Sequence, residues 1–314
     1  MDAKNQTNVM YFILLGLSDH PGKQTALFML FLVMYLVGLL SNSSIMAAIT
    51  SDPQLHTPMY FFIGNLSLVD ITIMTVIVPQ LLVNTISQRK TIYFPHCITQ
   101  LYFFVSMVGI NLLLLGAMAY DRYVAICNPL HYLMVMDRKV CSQLVAASWI
   151  AGLLNSLLHS MMIARLSFCS SNLIESFFCD IPPLLKVSCS DTSVNELLIL
   201  TESLSVILVS VLSIVASYAR IIIAIVSINS SEGRRKAFST CSSHLIVVSL
   251  YYGTILFSYI RPTSSYSLEK GKVVSVMYTV VTPMLNPFIY SLRNGQMKQA
   301  LRKAFRRCLC CNNF

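Results

Sequence analysis

The sequence predicts an all-α integral membrane protein: a bundle of seven transmembrane helices with a short amphipathic eighth helix in the tail. Three observations carry that reading. The 314 residues are 55% hydrophobic and only 11% charged, where soluble domains carry about 25% charged residues. Seven apolar runs each hold at most one Asp, Glu, Lys or Arg. A helix of about 20 such residues crosses the hydrocarbon core with every backbone N–H satisfied internally. The bases are also shared unequally between the two sets of connections. Core helices of a large soluble protein would need polar residues to coat them, and too few remain.

In chain order, residues 1–25 form the expected extracellular N-terminus. They lack a basic start and a small-residue cleavage site, so no cleaved signal peptide is expected, although Val9–Leu17 is a short apolar run. Asn5-Gln6-Thr7 is a glycosylation acceptor. The domain of spans covers residues 26–292. Its spans are expected at 26–49, at 58–86 with Asp70 as their one acid, at 97–120, at 140–164, at 197–219 with Glu202 alone, at 237–260 and at 273–292. Residues 293–314 are the expected cytoplasmic tail, rich in Lys and Arg. The side that holds the tail carries 13 of the 22 bases and a net charge of +9, while the other side carries a net +2. Cytoplasmic connections collect Lys and Arg, so the N-terminus is expected outside the cell and the protein in the plasma membrane. The bases form no single solvated block, and no nucleic-acid partner is expected; membrane lipid is.

Four cysteines, Cys97, Cys169, Cys179 and Cys189, fall on the expected outer side, where thiols are oxidised. Four cysteines allow three pairings, and spacing does not choose among them. A bridge from Cys97 to any of the others would pin the connection Arg165–Glu196 over the outer mouth as a lid. Cys308, Cys310 and Cys311 follow four bases in the tail, which suits palmitoylation at the inner leaflet as well as plain reduced thiols.

The third span ends in Met118-Ala-Tyr-Asp-Arg-Tyr-Val-Ala-Ile-Cys127, followed by Asn128-Pro-Leu-His-Tyr132. Further strings are Leu55-His-Thr-Pro-Met-Tyr-Phe-Phe62 with Asn65-Leu-Ser67, Ser217-Tyr218, Lys236-Ala-Phe-Ser-Thr-Cys-Ser-Ser-His244 and Pro283-Met-Leu-Asn-Pro-Phe-Ile-Tyr-Ser-Leu-Arg-Asn294. Together they resemble vertebrate olfactory (odorant) receptors of the tetrapod type, within the rhodopsin-like G-protein-coupled receptors. The strings occur in order, each at the matching membrane side, from the first span to the tail.

The resemblance implies a receptor for small volatile odorants that activates a stimulatory, olfactory-type G-protein heterotrimer and raises cyclic AMP, in olfactory cilia. It implies that Asp121, Arg122 and Tyr123, with Tyr218, Tyr252, Asn286, Pro287 and Tyr290, serve coupling and activation. Arg122 would be uncovered to receive the C-terminus of the G-protein α subunit. It implies a Cys97–Cys179 bridge, with Cys169 and Cys189 joined within the loop. It also implies a pocket on the outer part of the third, fifth and sixth spans, at Phe104, Val105, Val108, Ile199, Glu202, Ser203, Val206, Ile255, Leu256 and Tyr259. Such mostly apolar walls suit a small hydrophobic ligand held by shape and one or two hydrogen bonds.

Several residues argue on their own chemistry. An intramembrane carboxylate such as Asp70 is costly and marks a functional site. Asn286 and Tyr290 lie four residues apart, on one helix face, with Pro287 freeing a carbonyl between them, so a polar network with Asp70 and Asn111 is expected. The resemblance implies sodium at Asp70, completed by a third-span Glu; Asn111 stands there instead, which removes a charge and weakens that site. Glu202 is either a structural buried acid or a group for a polar or amine ligand, with His159 as a candidate partner. Where odorant receptors show Phe-Tyr-Gly, this chain has Tyr251-Tyr-Gly253 and lacks the sixth-span Trp of other rhodopsin-like receptors, so the toggle role falls to Tyr252. The sequence carries no Gly-x-Ser-x-Gly, no His-Glu-x-x-His, no phosphate-binding loop and no Lys within 273–292 for a retinal Schiff base. No enzymatic activity and no cofactor are expected.

Overall fold

A computed structural model describes residues 10–17, 21–87, 90–169, 172–227, 229–259, 268–292 and 295–311. Asn5 lies outside them. The bundle is built from helices α1 (Pro21–Ser51), α2 (Pro58–Ile86), α3 (Phe94–Cys127), a short α4 (Tyr132–Val135), α5 (Arg138–Ala164), α6 (Ile181–Lys186) in the long outer connection, α7 (Ser193–Val226) and α8 (Ser231–Tyr259). The last crossing combines α9 (Leu268–Val276), a π-helical stretch at Met277–Val281 and α10 (Thr282–Leu292); α11 (Gly295–Cys311) is the tail helix. Six stretches are long and apolar enough to span a bilayer, and Cys241–Phe257 of α8 is a shorter apolar seventh. Seventeen residues of helix rise about 25 Å, at the lower limit for crossing.

Local chemistry sets the helix ends. Pro58 and Pro95 occupy first-turn positions, where a missing N–H costs nothing, and Asp137 caps α5 by accepting from the Val140 N–H at 2.7 Å. Several helices overrun the expected spans: α1 starts at Pro21, α3 continues to Cys127 and α7 to Val226. Apolar composition reports only the length in hydrocarbon, whereas backbone hydrogen bonding continues into the polar layers. The seventh crossing is irregular because Pro283 and Pro287 cannot donate to the preceding turn. The Pro283 carbonyl left free by Pro287 accepts from Asn42 Nδ2 of α1 at 3.0 Å.

Helix α3 is the axis of the bundle, packed by α2, α5, α7 and α8. Its closest approach is to α5, where a Cβ added to Gly152 would stand 2.6 Å from Ile110 Cγ1 and 3.0 Å from the Ser106 carbonyl. Side chains such as Leu40, Val83, Leu154, Leu208 and Val209 point outward and are exposed, an arrangement suited to lipid and costly in water.

The outer end departs from an all-helical expectation. Part of the apolar run at the N-terminus forms strand β1 (Tyr11–Leu14), antiparallel to β2 (Thr91–Tyr93) and parallel to β3 (Leu173–Ile174), in the order β2-β1-β3. Phe12 and Leu14 are fully buried against Ile92, Leu101, Phe168 and Ile174. Along this continuous apolar run burial alternates, with Phe12 and Leu14 turned inward as the strand period requires, and two distant connections supply the edges. Lys272 Nζ adds hydrogen bonds to the Leu15 and Gly16 carbonyls, at 3.2 and 2.5 Å. At the other end, α11 packs on α1, with Met297 and Ala300 buried and Lys303 Nζ 3.2 Å from Asp52 Oδ2.

Candidate functional site: an outer cavity and a buried polar spine

A cavity of about 90 Å³ lies between α3, α5, α7 and α8. Val105, Val108, Gly109 and Leu112 of α3 form one wall, Asn155 and His159 of α5 a second, and Ile199, Glu202 and Ile207 of α7 a third. Ile255 of α8 and Ile181 of α6 complete it. The connection between α5 and α7 is tied to α3 by Cys97–Cys179 and braced within itself by Cys169–Cys189, with Cα separations of 5.5 and 5.9 Å. Gln100 reinforces the first: its Oε1 accepts from the Cys179 N–H at 2.9 Å, and its Nε2 donates to the Val76 carbonyl at 3.0 Å.

Of the ten side chains expected at the pocket, Val105, Val108, Ile199, Glu202 and Ile255 line the cavity. Phe104 and Leu256 do not. Phe104 is fully buried beside it, edge-on to Phe178 at 4.9 Å and stacked on Tyr278 at 6.0 Å. Each residue turns the helix by about 100°, so Phe104 points a quarter-turn from Val105, and Leu256 likewise from Ile255. The side chains of Ser203, Val206 and Tyr259 lie outside the described residues. Gly109, Leu112, Asn155, Ile181 and Ile207 were not anticipated. Gly109 and Leu112 follow Val105 and Val108 by four residues and Asn155 precedes His159 by four, so helical spacing was a usable signal. Ile181 arrives through the loop, which spacing does not report.

His159 is buried, and its Nε2 lies 2.7 Å from Glu202 Oε2 across the α5–α7 gap. Below the cavity, Tyr251 and Tyr252 donate to α3 carbonyls, those of Val108 at 3.5 Å and Leu112 at 3.1 Å. A third link joins α3, α7 and α8. His244 Nε2 donates to the Leu115 carbonyl at 3.1 Å, which leaves Nδ1 to accept from the Tyr218 hydroxyl at 2.8 Å. His244 ends the Lys236–His244 stretch, and its pairing with Tyr218 joins two helices, which spacing along one of them does not report.

Asn286 Nδ2 donates to Asp70 Oδ2 at 2.8 Å. The rest of the expected network does not close within the described chain: Asp70 Oδ1, Asn286 Oδ1, both amide atoms of Asn111 and the Tyr290 hydroxyl are buried without a hydrogen bond. Asn111 is one methylene shorter than the Glu that the resemblance implies. Among the described residues no three His, Cys, Asp or Glu side chains converge as a metal site. A single carboxylate with neutral amides lacks the second acid of that sodium set, and no step is assigned to a cation.

Near the C-terminal end of α3, Arg122 Nη2 and Nε donate to Asp121 Oδ2 at 2.7 and 3.1 Å. Asp121 is fully buried, and its Oδ1 accepts from the Tyr132 hydroxyl of α4 at 2.7 Å. Burial first, then the Asp121 carboxylate, pushes the Tyr132 phenol well above its ordinary range, so it stays a donor. Tyr123 is partly buried beside Tyr120, with ring centroids 6.4 Å apart.

Architecture and composition define a multi-pass helical membrane protein with a small apolar cavity at one end and a tethered arginine at the other. The sequence matches the olfactory receptor family over residues 31–308. It is 53% identical to mouse olfactory receptor 5AP2 over 96% of this chain and 95% of that protein. It is 51% identical to human olfactory receptor 1L6, covering 96% of this chain and 88% of that one, and 50% identical to human olfactory receptor 1F1, covering 98% of each. The chain belongs to the olfactory receptor family. It is accordingly a receptor and not an enzyme.

Proposed function

We propose that this receptor binds small, mostly apolar volatile molecules in the outer cavity and activates a stimulatory, olfactory-type G-protein heterotrimer, raising cyclic AMP. The observation that carries the reading is the cavity itself, walled chiefly by Val and Ile from four helices, with the polar pair His159–Glu202 in its lining. Ligand pockets have that composition. Tyr251 and Tyr252 reach from the sixth crossing to α3 directly under the cavity, so a ligand that shifts α8 disturbs those bonds. Two-state helix packing would carry the shift to Tyr218 and to the Arg122–Asp121 pair.

In this reading the N-terminus, Asn5 as its glycan acceptor and both disulfides face the extracellular side. The tail lies on the inner leaflet, and the receptor works in the ciliary plasma membrane. Asn286, Pro287 and Tyr290 form the deformable part of the seventh crossing, beside Asp70 and Asn111. The test is a panel of volatiles applied to cells that express the receptor, the stimulatory α subunit and a cyclic-AMP reporter. Dose-dependent responses that Val108→Phe abolishes at unchanged surface expression are expected. Responses indifferent to that substitution would place the ligand elsewhere.

A further inference from the structure

We infer that the His159–Glu202 pair makes the cavity selective for ligands that carry a hydrogen-bond donor, small aliphatic alcohols or amines, over acceptor-only ligands of equal size. The inference rests on the ligand-binding reading above. Val105, Val108 and Ile255 offer dispersion and dehydration without direction. Direction comes from Glu202, whose Oε2 is engaged by His159 Nε2 at 2.7 Å. The shared proton lies between those two atoms whichever of them holds it. In either case Oε1 remains an acceptor, because an ionised carboxylate only accepts and a carboxylic acid protonated on Oε2 keeps Oε1 as its carbonyl.

Glu202 lines the cavity and keeps 30% of its side chain exposed. An alcohol O–H or an amine N–H can donate to Oε1. An aldehyde, ketone or ether presents a second oxygen lone pair to it and leaves that oxygen dehydrated and unpaired. Sites built to bond a ligand's donor discriminate strongly against analogues that lack it. Asn155 is the other polar side chain of the wall, one turn from His159, and it carries both a donor and an acceptor, so it favours neither class. An ammonium adds charge to the same bond, which makes the amine and the alcohol two versions of one chemistry.

The test compares butan-1-ol, butan-1-amine, butanal and methyl propyl ether in the cyclic-AMP reporter, on the parent receptor and on Glu202→Gln. Glutamine keeps the shape and an oxygen for His159, and it turns an N–H₂ donor toward the ligand. On the parent, the alcohol, the amine or both should act at concentrations roughly tenfold below the aldehyde and the ether. An amine response alone narrows the class to cations, and an alcohol response alone narrows it to neutral donors. Glu202→Gln, at equal surface expression, should erase or reverse the ratio. Equal potency of the four, a preference that survives Glu202→Gln, or silence with all four while other volatiles activate the receptor would overturn the inference. If responses to active volatiles are unaffected by Val108→Phe, the underlying pocket assignment falls instead.

Discussion

Asp121 is fully buried near the C-terminal end of α3 and divides its two oxygens between Arg122 and Tyr132. That arrangement holds the Arg122 guanidinium against its own helix. Arg122→Ala should therefore leave surface expression and ligand capture intact and remove the cyclic-AMP response; a full response from this variant would sink the role given to it. Tyr132→Phe removes one of the two restraints and leaves Asp121 Oδ1 without its donor, at a cost of about 1–3 kcal/mol to the resting arrangement. Higher basal cyclic AMP per surface receptor is expected, and a lower basal level would contradict it. Sequence spacing put Asp121 beside Arg122, but Tyr132 reaches it only because the chain turns back through Pro129–His131 into α4.

At the scale of elements, the α3–α5 contact depends on the absence of a side chain at Gly152. Gly152→Val must displace Ile110 or the Ser106 backbone, so a loss of about 1–3 kcal/mol and a lower unfolding temperature are expected. Gly109→Ala meets only the Gly152 Cα, at 3.6 Å, and should be tolerated. Equal unfolding temperatures for the two variants would show that the close approach is not rigid. The two bridges differ in the length of chain they close. Cys97–Cys179 spans 82 residues and Cys169–Cys189 spans 20. The longer closure restricts the unfolded chain more, by roughly 1 kcal/mol. Replacing Cys97 and Cys179 by Ser should therefore reduce surface expression more than replacing Cys169 and Cys189. Flow cytometry of an N-terminal epitope on intact cells measures both, and the reverse order would count against the lid.

The whole molecule is a helical bundle whose cavity end carries the three-stranded sheet and the long, disulfide-braced connection. Its cavity of about 90 Å³ limits the apolar area a ligand can bury. At about 25 cal/mol per Å², less the cost of immobilising the ligand, half-maximal responses are expected in the micromolar range or above. Nanomolar potency of a small volatile would mean that the occupied cavity is larger than the one seen here. The charge difference between the two faces gives a further expectation: Asn5→Gln should remove a glycosidase-sensitive increment in mass, and an unshifted parent receptor would argue that residue 5 never faces the lumen.

Hydrocarbon length and the scarcity of charge were enough to mark seven apolar runs, six of which form helices long enough to cross a bilayer, because a helix in lipid must be apolar whatever its neighbours are. The uneven distribution of Lys and Arg supplied an expected orientation for the same one-dimensional reason, and the inner strings carried the family. The lining of the cavity was legible only in part. Val105 and Val108, which the resemblance implied for the pocket, line the cavity, but Phe104 on the same helix belongs to an aromatic layer with Phe178 and Tyr278, since rotation about the helix axis is set by packing partners. The β1 strand needed edges from two distant loops, whereas the contact of Glu202 with His159, 43 positions away, matches the candidate partner named from the sequence. Periodicity along one element says which side chains share a face, whereas helix tilt, rotation and loop closure choose the face's partner, and those come from long-range packing that tertiary structure alone decides.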